Sequence, residues 1–121
     1  MKVEYPKYPI LIENVYFKGY EDAGIFLSCL RNDNIPALFI VNTITGEPYA
    51  NCNINPEDYK LKDFEFAIKD YSENECMLEW LLENDFVDEP HDFFGSGFVV
   101  IPVCRASEKL KKFILDNCAL L

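Results

Sequence analysis

The chain has one histidine, one tryptophan, five glycines and only 11 lysines and arginines among its 121 residues. Each scarcity excludes something. With His91 alone, a metal centre built from several histidines is ruled out, and any histidine-based proton transfer falls to that one side chain. Cys29, Cys52, Cys76, Cys104 and Cys118 stand far apart, form no Cys-x-x-Cys pair and are odd in number. That pattern argues against a disulfide framework and against a zinc module, and it reads as reduced cysteines, most of them in a core. No apolar run approaches the length needed to span a bilayer, and MKVEYPKYPILIE lacks the apolar run and cleavage site of a signal peptide. The expectation is a soluble, cytoplasmic protein with no membrane partner. Lys109, Lys111 and Lys112 are the only cluster of bases, too small for direct binding of nucleic acid.

What is present is apolar and acidic. Half of the residues are hydrophobic and 15% are aromatic, enough for one core, so residues 1–121 read as a single globular domain. The net charge of −10 arises wholly in the acidic segment Glu57–Asp92, where 13 carboxylates face only Lys60, Lys62 and Lys69. Such a field favours basic partners and repels nucleic acid.

Partial alternation from Tyr8 to Tyr20 predicts an early strand ending at Gly19. Ile25–Leu30, Ala37–Thr43 and Tyr49–Ile54 are short apolar runs, separated by turn-forming residues at Asn32–Asn34 and Thr45–Pro48. Phe64, Phe66 and Ile68 alternate against Glu65 as another strand, and Phe98–Val103 is a further one that Pro102 places near an edge or a strand end. Ser72 and Glu75 have the order of a capping box and predict a helix running to about Asn84. Ser107 opens a second helix, residues 107–119, with Leu110, Phe113 and Ile114 on its inner side and the three lysines outside. The expected fold is α+β: a mainly antiparallel sheet of about five or six strands with two helices in a single layer on it.

On the first predicted helix Glu75, Glu79 and Glu83 recur every four residues, about 6 Å apart along one face. Like charges at that spacing weaken an isolated helix by a few tenths of a kcal/mol per pair (roughly 0.2–0.5), so the row invites a functional explanation. Glu73 precedes the row, and Asp85, Asp88, Glu89 and Asp92 extend the charge past the helix end, where the dipole also disfavours anions. Trp80, between the glutamates, is the candidate hydrophobic anchor if exposed and a core residue otherwise. Together these residues, Asp92 excepted, form the candidate partner-binding surface. No catalytic residue and no metal ligand set is assigned: His91 stands beside an acidic loop, the cysteines sit in apolar runs, and the acids near Asp88 lack the order of a calcium loop. Gly95-Ser96-Gly97 lacks the lysine of a phosphate loop and reads as a tight turn, so no cofactor is expected.

TGEPYANCNIN at Thr45–Asn55, the DYSENE and ENDF boundaries of the first helix, and SGF before the strand with Pro102 resemble an uncharacterised family of small proteins encoded on bacterial conjugative elements and phages. The resemblance covers about half of the chain and carries no catalytic motif. It implies a mobile-element setting, in which small acidic proteins often counter host defence as anti-restriction or anti-CRISPR proteins. The leading expectation is therefore a non-catalytic inhibitor of a basic nucleic-acid-handling protein such as a CRISPR-associated nuclease, whose acidic surface competes with guide or target. The rival expectations are an interaction module or homodimer of a mobile element, and a small enzyme using His91.

Overall fold

In the computed structural model, residues 3–4, 10–30 and 35–120 are described. The expected turn at Asn32–Asn34, Tyr8 and Leu121 lie outside them. The chain forms β1 (Val3–Glu4), β2 (Ile10–Phe17), β3 (Tyr20–Leu30), β4 (Ile35–Asn42), β5 (Pro48–Asn51), β6 (Asn53–Ile54), β7 (Glu65–Ile68), α1 (Met77–Glu83), β8 (Asp92–Ser96), β9 (Val99–Arg105), α2 (Glu108–Asn117) and β10 (Ala119–Leu120). All strand pairs are antiparallel: β2-β3-β4-β5 form one sheet, β6-β7-β9-β8 a second, and β1 pairs with β10. The α+β class is as expected. The single sheet of five or six strands is not: there are two sheets of four, and both helices share one core with them. No helix among the described residues is long and apolar enough to cross a membrane.

Two causes account for the departure from one sheet of five or six strands. The run Tyr49–Ile54, expected as one strand, breaks at Cys52 and belongs to both. The Cys52 amide still donates to the Leu38 carbonyl of β4 (2.7 Å), while its carbonyl accepts from Lys69 next to β7 (2.9 Å). One residue on, the buried Asn53 side chain stands in for the departed strand: Oδ1 accepts from the Leu38 amide and Nδ2 donates to the Pro36 carbonyl, each at 2.9 Å. A carboxamide has the donor and acceptor of a peptide group, so the β4 edge keeps its hydrogen bonds where the main chain leaves it. The second cause is β8, whose Asp92, Gly95 and Ser96 read as loop residues. Its mostly exposed positions give no apolar alternation to detect.

Ile25, Leu27, Leu38 and Ile40 from the first sheet meet Phe66, Ile68 and Cys104 from the second, with Met77 and Leu81 of α1 and Leu110 and Ile114 of α2 closing the core. Pro102 lies in an interior strand rather than at an edge. Pairing of β9 with β7 nevertheless stops at Ala67–Val103, one residue before it, while pairing with β8 continues to Ser96–Val99. A proline has no N–H to offer a ladder, so β9 is interior at its second half and an edge toward β7 at its first.

Candidate acidic interface

Asp70, not Ser72, positions α1. The Leu78 amide donates to Asp70 Oδ1 at 2.8 Å, and the residue preceding the helix, Cys76, is left-handed (φ 72°) with no side-chain cap. Ser72 is left-handed as well (φ 57°) and opens a short 3-10 turn over Ser72–Asn74. Asn74 is drawn inward, where its Nδ2 donates to the Asn51 carbonyl at the end of β5. That contact rotates the turn away from the helix axis, so the expected capping box does not form. The helix shortens to seven residues, and Glu75 precedes it rather than lying in it.

The C-terminus of α1 follows a recognisable pattern. Asp85 is left-handed (φ 57°), its amide bonds to the Leu82 carbonyl (3.1 Å) and the Phe86 amide to the Leu81 carbonyl (2.9 Å). These are the two reversed bonds of a Schellman motif, with aspartate in the place that usually holds glycine. Lys109 of α2 donates to the Asn84 carbonyl at 2.6 Å and lies 4.4 Å above the Phe86 ring, which brings a cation to the negative end of the helix. Lys111 rests 5.1 Å over Phe64, so of the three lysines expected on the outer face of α2 only Lys112 is exposed; it pairs with Asp116.

Glu75, Glu79 and Glu83 are exposed and, with Asp70, border a shallow groove floored by Leu78 and Leu82. Among the described residues none of these three has an ion-pair partner, nor have the exposed Asp85, Asp88 and Glu89. Glu73 differs. It pairs with Lys69, and that hydrogen bond is the main reason its carboxyl is pulled down to about 2; its carbonyl also accepts from Lys18 (2.9 Å). Trp80 is half-buried, edge-on to Phe17 and stacked on Phe86, both at 5.4 Å, and its indole N–H donates to the Tyr16 carbonyl (2.6 Å). The indole is committed to the fold rather than offered as an anchor.

Away from the helix, the carboxylates serve two further arrangements that the sequence does not reveal. Glu65, expected on the solvent side of its strand, is buried; Oε1 accepts from the Lys62 amide (2.6 Å) and Oε2 contacts His91 Nε2. Tyr59 donates to Asp92 (2.6 Å) and stacks on Phe94 at 4.8 Å, pinning the loop between β6 and β7 against the second sheet. The shared proton pushes the Tyr59 hydroxyl up to about 12 and lowers Asp92. Because Tyr59 and Asp92 are 33 residues apart in sequence, no local pattern signals their contact. A cavity of about 280 Å³ opens beside Glu65, bordered by Glu57, Tyr59 and Lys60.

The buried thiols Cys52 and Cys104 are not poised as nucleophiles. Burial drives Cys52 far up and Cys104 up to about 12, the latter with help from Glu89, Asp88 and Asp70. Cys118 is intermediate and Cys76 exposed, and the Cys29 side chain lies outside the described residues. Among the described residues no group of three His, Cys, Asp or Glu side chains is placed to hold a metal ion. Comparison of the chain with protein-family models, with curated proteins and with solved structures finds no match in any of the three.

Proposed function

We propose that the protein is a non-catalytic inhibitor that docks its acidic surface on a basic nucleic-acid-handling protein, such as a CRISPR-associated nuclease, and competes with guide or target nucleic acid. The observation that carries this reading is the exposed row Glu75, Glu79 and Glu83, continued by Asp85, Asp88 and Glu89, none of which has an ion-pair partner among the described residues. An unpaired row costs the fold repulsion that a mixed surface would avoid. A basic channel that normally holds phosphates relieves that repulsion on binding. The local resemblance to proteins of conjugative elements and phages supplies the setting for such an inhibitor. Glu73 contributes less than the others, because Lys69 already holds it, and Trp80 contributes packing rather than contact.

The test is inhibition of a panel of purified CRISPR-associated and restriction nucleases. Binding should weaken steeply between low and high salt, as expected for exposed charges screened over about 8–10 Å. Changing Glu75, Glu79 and Glu83 together to lysine should abolish inhibition of the responsive nuclease. Inhibition unchanged by the triple substitution, or insensitive to salt, would refute the reading.

A further inference from the structure

The hairpin β8–β9 is an uncharged island on this acidic molecule. From Phe93 to Cys104 the chain carries twelve residues without a single charge. Beyond Val103 toward the tip β9 pairs only with β8 among the described residues, so Phe93–Ser96 and Val99–Pro102 form a two-stranded arm. Ile101 and Pro102 are buried and Tyr59 stacks on Phe94, which leaves the other face and the tip open. Phe93 is 57% exposed, Val100 67% and Phe98 fully exposed at 109%. Phe93 pairs with Pro102 and Gly95 with Val100, two positions along, so Phe93 and Val100 lie on one face. The closing turn has Gly97 at φ 61°, the position that requires glycine, whereas its second residue adopts no left-handed backbone. The turn therefore needs Gly97 and has no need of phenylalanine at 98. Nothing in the fold accounts for that ring, and clustered exposed apolar side chains of this kind mark contact surfaces.

Charge and area decide what covers the arm. Two copies meeting there would each bring a net charge of −10. The exposed parts of the three side chains total about 400 Å² per chain, so two arms would bury roughly 800 Å², below the ~1,000 Å² of a specific interface. At the root of the arm, Asp92 begins β8, and Asp88, whose amide bonds to the Arg105 carbonyl (2.9 Å), lies with Glu89 alongside the end of β9. Arg105 is an exposed base there, as are Lys60 and Lys62 on the loop that Tyr59 ties to Asp92, but the exposed Glu57, Asp58 and Asp63 of that loop keep the root acidic; His91 is engaged with Glu65. An apolar tip and outer face beside an acidic root complement the inverse arrangement.

We infer that the arm is the hydrophobic anchor of the interface: it seats Phe98, Val100 and Phe93 on a partner protein surface where an apolar patch is bordered by lysine or arginine. This rests on the reading that the partner is basic and adds the apolar contact that the acidic row lacks. The test titrates the full chain with two synthetic peptides, one amphipathic and built only of leucine and lysine, the other oligolysine of equal charge. The leucine-lysine peptide should bind at least tenfold more tightly, and Phe98→Ser with Val100→Thr should remove that advantage while leaving oligolysine binding unchanged; both positions are exposed, and circular dichroism checks the fold. An advantage that is absent, or that survives the substitution, overturns the inference. So does a dimer in sedimentation that Phe98→Ser dissolves, since a second copy would then be the occupant. Reversal of Glu75, Glu79 and Glu83 should weaken both peptides equally; if it weakens neither, the acidic-row reading fails while the arm result stands.

Discussion

Asn53 occupies the point where the main chain abandons β4, and its carboxamide satisfies both the Leu38 amide and the Pro36 carbonyl. Asn53→Ala strands a buried donor and a buried acceptor, each worth about 1–3 kcal/mol when left unmade, so a loss of about 3 kcal/mol is expected in urea unfolding. Asn53→Asp should be nearly as harmful, because a carboxylate has no N–H for Pro36. Tyr59 offers a second check. Its hydroxyl is raised from 10.0 to about 12 by the hydrogen bond to Asp92, so the protonated pair is the stabilising form. That stabilisation is whole below pH 10 and disappears as pH rises toward 12. Asp92, lowered by the same bond, contributes above the ordinary carboxylate range and loses its contribution as pH falls through its depressed value. Ultraviolet titration should show one late-ionising tyrosine that is absent in Tyr59→Phe and returns to the ordinary range in Asp92→Asn. Neither pair was legible in the letters, because Asn53 sits in an ordinary turn-and-strand run and Tyr59 meets Asp92 only after two sheets are assembled.

The two helices open with the same residue type and opposite outcomes. Ser107 caps α2 as its sequence predicts, its Oγ accepting from the Leu110 amide (3.2 Å), and α2 runs Glu108–Asn117 before the chain turns into β10. Ser72 has an equally good motif and does not cap α1, because Asn74 answers to Asn51 across the molecule. Capping propensity is local, and a tertiary hydrogen bond outweighs it. Accordingly Asp70→Ala should cost about 1 kcal/mol, while Ser72→Gly should be neutral or stabilising, since glycine accepts the left-handed backbone more readily. At the other end Asp85→Gly should stabilise by roughly 0.5–1 kcal/mol, by placing glycine in the Schellman position and removing an anion from the negative helix terminus. Thermal unfolding of the three variants settles the sign of each. The alternation of Phe66 and Ile68 was a sound guide to the core, but it could not tell that a loop covers the opposite face and buries Glu65 there.

At the level of the whole molecule, the acidic segment was visible as a count of letters, and the fold sorts that count into different fates. Glu65 is inside, Glu73 is paired, Asp92 is bonded to Tyr59 and Asp70 accepts from the Leu78 amide; Glu75, Glu79, Glu83, Asp85, Asp88 and Glu89 stand exposed with no ion-pair partner among the described residues, and Glu57, Asp58 and Asp63 are exposed as well. Self-repulsion among the open charges should make stability rise with salt. Reversing Glu75, Glu79 and Glu83 changes the charge by two at each site, from −10 to −4, and the rise in Tm between low and high salt should shrink in that variant. The crossing at Cys52 acts on the same scale. Its amide is held by the first sheet and its carbonyl by the second, within a stretch of chain common to both. Peeling either sheet open breaks a bond that the other depends on, so the two should exchange their amide hydrogens as one cooperative unit, with Cys52 and Lys69 among the last to exchange and opening only when the entire chain unfolds.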